Sequence, residues 1–424
     1  MLRFILLGAL LSLPSPAAAL QVQQPPEPPR LLDDVRFLSD DRLQGRMTGS
    51  PGADSAAEYL ARRFSQVGLQ PAAGGWFQSF TVGREAPAAR QARTGALMGR
   101  NVVGILPGRD PVLRNQTVVL GAHYDHLGRG GFGSLDPDST GLVHNGADDN
   151  ASGAAALIQV AARLAASPPA RTVVFIAFSG EELGLLGSAH YVQQPIYPLA
   201  GMMAMVNLDM VGRLRNGRLI VYGARSAKEF PALLDSLNWY AGFDLKAQGD
   251  GYGPSDHSSF YAAKRPVLHI FTDLHEDYHR TTDDWQKVNY DGLKRVADFS
   301  LGLVTALANR TSPLTLLELP APVPSQIAAG SGPPGYGAYL GTVPDMTGAP
   351  GGVRLVGVRA GSPAEKAGLR GDDIITRIGG AETPDLQAMT DALRSHKPGE
   401  TVEIVVRRGA SVTTFTATLG ARGG

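Results

Sequence analysis

Apolar positions along the first three quarters of the chain fall into two periods. Residues 31–38 and 55–67 space them three and four apart, which predicts two amphipathic helices, the second opening after the turn Gly49-Ser50-Pro51-Gly52. Short β-branched runs then appear at 101–106, 117–122, 172–178 and 203–208. An Ala-rich helix over 151–166 separates the second run from the third. Strands that alternate with helices predict an α/β fold: a mostly parallel, twisted sheet flanked by helices on both faces. A strand at 219–222, a helix at 230–240, a strand at 267–271 and a helix at 291–308 complete this domain, placed at 28–311.

From 312 to 335 the composition shifts to Pro, Ala, Gly and Ser, the signature of a linker. Residues 336–424 carry their own strands, a helix and Gly-rich turns, enough for a small β-rich second domain. At the other end, residues 1–19 place Arg3 before a short apolar run that closes on Ala17-Ala18-Ala19, as in a cleavable secretory signal. The run is shorter than the ~20 residues a membrane span needs. The expectation is a secreted or periplasmic protein with no transmembrane anchor after cleavage.

Bulk composition narrows the partners. Lys+Arg 39 equals Asp+Glu 39, so no global field recruits nucleic acid or an anionic membrane. Cys 0 excludes a disulfide framework and a lipid-attachment cysteine.

The chemistry lies in five short segments: His123 of Gly-Ala-His-Tyr-Asp125, Asp149 of Ala-Asp148-Asp149-Asn150, the pair Glu181-Glu182, Asp209 of Asn-Leu-Asp-Met, and His279 of Tyr278-His279. Taken singly, each has a plain explanation. A histidine after a strand can simply pack, an Asp before a helix can cap it, and paired glutamates can be solvated in a first turn. Four of the segments, however, follow predicted strands, and open α/β sheets gather ligands at the carboxyl ends of their strands. Together they offer two imidazoles and three carboxylates for a pair of zinc-type ions, with one carboxylate left as a base. Asp125 is spaced to orient His123. His275 is as good a candidate as His279 on composition, and His126 and His144 read as supporting or surface residues. Ser255-Asp256-His257 cannot form a serine triad, because three adjacent residues cannot make the required chain of hydrogen bonds.

These segments, with Arg46-Met-Thr-Gly-Ser-Pro-Gly, Glu181-Glu182-Leu-Gly-Leu-Leu-Gly-Ser, Ser255-Asp-His and Asp277-Tyr-His-Arg-Thr-Thr-Asp283, resemble the M28 zinc metallopeptidases in content and in order. The resemblance implies two Zn2+ ions per chain, one held by His123 and Asp209, the other by Glu182 and His279, with Asp149 bridging. It implies Glu181 as general base toward a metal-bridged hydroxide, Asp125 behind His123, and either Tyr252 or Tyr278 polarising the scissile carbonyl. It favours His279 over His275, and raises a cis peptide bond at Asp149-Asn150. The disulfide that flanks Tyr252's position in the family is absent, so the loop 249–254 needs another support. The implied activity is a zinc-dependent aminopeptidase acting on peptides with a free N-terminus, with Met210, Phe271 and Tyr252 placed to line an apolar pocket. Alternatives on the same fold are a carboxypeptidase, a dipeptidase or a glutaminyl cyclase; a non-catalytic adaptor is a further one.

The C-terminal segment, with Tyr336-Gly-Ala-Tyr-Leu-Gly-Thr342, Gly361-Ser-Pro-Ala-Glu-Lys-Ala-Gly and Val402-Glu-Ile-Val-Val-Arg-Arg-Gly, resembles a PDZ domain. The resemblance implies that the loop Tyr339, Leu340, Gly341 and Thr342 receives the C-terminal carboxylate of a peptide that adds as a β-strand. The alternative is a module that only packs on the peptidase.

Overall fold

The computed structural model describes residues 30–83, 96–318 and 338–421, apart from 131–132, 135, 137–138, 345–350, 359–360, 385–387, 390–391 and 394. The signal expected at 1–19 and the part of the expected linker from 319 to 335 lie outside the described residues.

The β-branched runs pair into one nine-stranded sheet. Its strands are β1 (Gln70–Pro71), β2 (Phe77–Val82), β3 (Leu97–Leu106), β4 (Thr117–His123), β5 (Thr172–Phe178), β6 (Met202–Leu208), β7 (Arg218–Tyr222), β8 (Asp244–Gln248) and β9 (Val267–Phe271). The order is β1-β3-β5-β4-β6-β9-β7-β8, with β2 also paired to β3. The central strands β5, β4, β6 and β9 are mutually parallel. On the flanks, β3 runs antiparallel to β5 and β7 antiparallel to β9.

Every residue of β4, β5 and β6 is buried, which is why these strands read as continuous apolar runs. Alternate side chains feed two cores. Val118, Leu120, Val173, Phe175 and Val206 face the layer containing helices Leu31–Leu38, Pro51–Gln66, Gly153–Ala165 and Tyr290–Asn309. Val119, Val174, Ile176 and Met205 face a smaller cluster with Tyr191 and Phe260, from helices Leu186–Gln193 and His257–Ala262. The Ala-rich composition of Gly153–Ala165 lets that helix sit close on the sheet, since Ala154, Ala155, Ala156 and Ala161 are fully buried.

Two differences from the sequence expectation have local causes. The helix expected from 151 begins at Gly153, because Ala147–Ser152 forms a wide turn that contains a cis Asp149–Asn150 peptide bond. Asn150 Oδ1 accepts the Gly153 amide at 2.9 Å and closes the turn. Strand β8 (DLKAQ) carries no strand signal in the sequence because it is a half-exposed edge strand with no buried face to impose alternation.

The second domain is antiparallel: β11 (Thr342–Pro344), β12 (Val353–Val358), β13 (Ile374–Ile378), β15 (Thr401–Arg408) and β16 (Ser411–Thr418) follow one another, with β14 (Ala381–Glu382) also on β13. A separate pair joins β10 (Ala338–Tyr339) to β17 (Gly420–Ala421). Leu355, Ile375, Ile378, Ile404 and Val406 make its core. No described helix is long and apolar enough to cross a membrane.

Candidate metal centre

Register brings the donors together. Gly121 of β4 lies opposite Asn207 of β6, so extending both parallel strands by two residues sets His123 beside Asp209. The Nε2 of His123 is 3.2 Å from Asp209 Oδ1 and 3.2 Å from Asp149 Oδ1. The other oxygen of Asp149, Oδ2, lies 3.1 Å from His279 Nε2, which is 3.3 Å from Glu182 Oε2. One carboxylate thus faces two imidazoles, one through each oxygen. His123 is 1% exposed and Asp149 4%, so these groups are withdrawn from water and held for one another.

The structure keeps His275 out of this constellation and pairs it with Asp148, Nε2 to Oδ2 at 3.1 Å. Asp148 is otherwise taken up by the Gly212 amide (2.6 Å) and the Ser152 hydroxyl (3.0 Å). The adjacent acids Asp148 and Asp149 are therefore in different surroundings, which their sequence could not distinguish. Asp283 holds the turn between them, its Oδ2 accepting the amides of Asp148 (2.9 Å) and Asp149 (3.1 Å).

Supporting hydrogen bonds orient the rings. His279 Nδ1 donates to the Gly133 carbonyl at 2.8 Å, and His123 Nδ1 to the backbone carbonyl of Asp125 at 3.1 Å. The Asp125 carboxylate lies farther from that nitrogen, at 3.8 Å. Its oxygens accept from the Glu181 amide (3.2 Å) and the Thr48 hydroxyl (2.9 Å). His126 is fully buried with Nδ1 2.7 Å from Glu182 Oε1, so it stands against the donor set rather than at the surface. Its spacing of three from His123, in the loop after β4, is the signal that would have drawn attention to it.

Electrostatics follow from this crowding. Burial pushes the His123 imidazole down, but Asp209, Glu181 and Asp149 outweigh it and hold its pKa well above the usual range; Glu182 and Asp149 do the same for His279. Burial pushes Glu182 up, yet His279 and His126 bring it to about 2. Glu181 goes the other way: burial, abetted by Glu182 and Asp209 and opposed by His123, holds its carboxyl well above the ordinary value. A buried excess of carboxylates around imidazole nitrogens is a donor set that fits a divalent cation with N and O preference. Two such groups are present among the described residues, each with ligand atoms within 4.8 Å of one another: His123, Asp149 and Asp209, and His126, Asp149 and Glu182.

The two tyrosines differ in placement. Tyr278 stacks on His279, with ring centroids 3.9 Å apart. Tyr252 packs edge-on against Tyr261 at 4.8 Å, beside the smaller apolar cluster. Its loop is held by Ser258, whose hydroxyl accepts the Gly253 amide (2.7 Å) and donates to the Gly253 carbonyl (2.6 Å), and by Asp250, which accepts the Tyr252 amide at 3.0 Å. His257 stacks on His269 at 4.5 Å in the interior, and His144 bonds to Ser134 and Leu142 in its own loop.

In the second domain, Tyr339 and Leu340 are buried and the Leu340 carbonyl accepts the Ala364 amide at 2.8 Å. Gly341 has φ +83°, and a Cβ there would stand 2.3 Å from Ser362 Cβ, so the turn requires glycine. Thr342 then opens β11, an edge strand of the sheet.

Comparison with known proteins finds two family models along the chain. Residues 101–304 match the family model described as Peptidase family M28, and residues 338–419 that of the PDZ domain. Leupeptin-inactivating enzyme 1 of Streptomyces exfoliatus is 25% identical over 287 residues, covering 65% of this chain and 56% of its own length. Leucine aminopeptidase 1 of Uncinocarpus reesii is 28% identical over 226 residues, 49% of this chain and 54% of its own. The chain thus spans about half the length of these curated relatives. A Zn-dependent exopeptidase from Parabacteroides distasonis superposes with a TM-score of 0.55 at 20% identity, over 67% of this chain and 99% of that one, and so shares the fold. Residues 101–304 are thus an M28 peptidase domain by family model, followed over residues 338–419 by a PDZ domain.

Proposed function

We propose that this protein is a zinc-dependent aminopeptidase that removes N-terminal residues from peptides. The observation that carries the reading is the Asp149 carboxylate, whose two oxygens face His123 and His279 separately, at 3.2 and 3.1 Å. In this reading His123 and Asp209 would hold one zinc ion, Glu182 and His279 the other, and Asp149 would serve both. Bound zinc would supply Lewis acidity toward the scissile carbonyl and would acidify water. Relatives named as aminopeptidases support the same choice.

The chain's own groups then divide the work. Glu181, next to a ligand and with its amide fixed on Asp125, accepts a proton from the attacking water and returns it to the leaving amine. Asp125 is a positioning residue: it ties the Glu181 backbone to the loop that carries His123. Tyr278, stacked on His279, is the tyrosine better placed to reach the carbonyl oxygen. In the PDZ domain, the loop 339–342 at the start of the edge strand β11 would receive a peptide C-terminus.

The test is a substrate panel on the purified full chain: aminoacyl anilides, their N-acetylated forms, C-terminally free dipeptides and N-terminal glutaminyl peptides. Cleavage of free-amine substrates only, abolished by a chelator and restored by zinc, is expected. Equal cleavage of acetylated substrates would remove the aminopeptidase reading, and cyclisation without hydrolysis would replace it.

A further inference from the structure

The motif that opens at Arg46, Arg46-Met-Thr-Gly-Ser-Pro-Gly, carries chemistry that the catalytic roles above do not use, and it is entered through Gln44 and Gly45. Gln44, Gly45 and Arg46 all have positive φ (49°, 70° and 49°), a left-handed run that is strained for the two non-glycine residues. Its tightness is real at Gly45, where a Cβ would meet the Gly128 carbonyl oxygen at 2.3 Å and that of His144 at 2.5 Å. Such a turn needs a reason.

It delivers the Arg46 side chain into the interior, 1% exposed. The guanidinium Nε donates to the Tyr124 carbonyl at 2.7 Å, Nη1 to the Asn145 carbonyl at 2.6 Å and also to that of Leu38, and Nη2 to the Gly146 carbonyl at 3.0 Å. Tyr124 lies between His123 and Asp125; Asn145 and Gly146 lead directly into Asp148-Asp149. Two residues on, the Thr48 hydroxyl donates to Asp125 Oδ2 at 2.9 Å. Buried arginines normally pair with carboxylates, as Arg63 does here with Asp34 at 2.7 Å. Arg46 instead spends its rigid fork on carbonyls of three separate segments, a task a lysine point charge cannot share out in the same way. Burial lowers its pKa to about 10, which leaves it charged at neutral pH among the site's carboxylates.

We propose that Arg46 and Thr48 form a bracket that fixes the His123 loop and the Asp149 turn at the separation a shared metal ion requires. Both are positioning residues and neither is a ligand. The inference rests on the metallopeptidase reading, so wild-type zinc binding is measured first, by competition with a chromogenic chelator. If the wild type binds no zinc, that reading fails.

Given wild-type binding, Thr48→Val and Arg46→Lys are compared with Arg63→Lys, a change at a buried arginine outside the bracket, with Tm recorded for all three. The expected result is zinc affinity weakened about 10- to 100-fold in both bracket variants, with kcat lowered and KM little changed. Arg63→Lys should lose Tm without losing zinc affinity. If Arg46→Lys fails to fold, Thr48→Val carries the test through the bracket's other contact, the Thr48 hydroxyl on Asp125. Bracket variants that fold and bind zinc as the wild type does would overturn the proposal, as would an equal loss of zinc affinity in Arg63→Lys.

Discussion

His126 Nδ1 lies 2.7 Å from Glu182 Oε1, while the other oxygen of that carboxylate is 3.3 Å from His279 Nε2. One histidine occupies one oxygen and so turns the second toward His279, a proposed ligand. His126→Gln should therefore weaken zinc binding about 10- to 100-fold and leave the secondary structure intact. Competition with a chelator, alongside a circular dichroism spectrum, measures both. Unchanged affinity would leave His126 as packing alone.

Glu181→Gln separates base from ligand. The amide keeps the volume and the backbone bond to Asp125 but cannot take a proton. A kcat fall of about 10²- to 10⁴-fold is expected, with KM and zinc content near wild type. Asp149→Asn should instead lose zinc, because it removes charge from the one carboxylate that both imidazoles share. Elemental analysis of the two dialysed variants distinguishes these outcomes.

The core of the sheet sets the stability on which the site depends. Phe175 is fully buried among Leu, Val and Ala side chains, so Phe175→Ala should cost about 3–5 kcal/mol. Urea unfolding followed by tryptophan fluorescence would show the shift. A loss below 1 kcal/mol would mean that the core collapses onto the gap.

In the PDZ domain, Arg408 grips the buried Asp373 carboxylate, Nε to Oδ1 at 2.6 Å and Nη2 to Oδ2 at 2.7 Å. Burial alone would raise the Asp373 pKa, but Arg408 and the Arg370 amide bring it below the ordinary value of 3.8. A carboxyl depressed in the folded state contributes stability that is full above the unfolded value and is lost as pH falls through the folded one. The Tm difference between wild type and Arg408→Met should accordingly be largest near neutral pH and shrink as pH falls, because the buried Asp373 of the variant, without its partner, takes up a proton at higher pH than that of the wild type. Calorimetry between pH 3 and 7 reads this directly; a gap that widened in acid would contradict the pairing.

Much of the architecture was legible because burial writes itself into local pattern. Strands covered on both faces must be apolar throughout, and β4, β5 and β6 are. The same economy hid β8, whose exposed residues carry no such constraint. Loops of different origin were harder. His275 and His279 are four residues apart with similar neighbours, and only folding shows one bonded to Asp148 and the other against Asp149 and Glu182.

By itself the sequence determined the alternation of elements, the split into two domains and which acids and histidines follow the strands, since each depends on residue type and spacing along the chain. Tertiary structure decided which of these side chains meet, why Asp148 and Asp149 differ, that His126 lies against Glu182, and what Arg46 holds. Those are distances between segments up to 135 residues apart, set by strand register and by a buried guanidinium, and no local pattern encodes them.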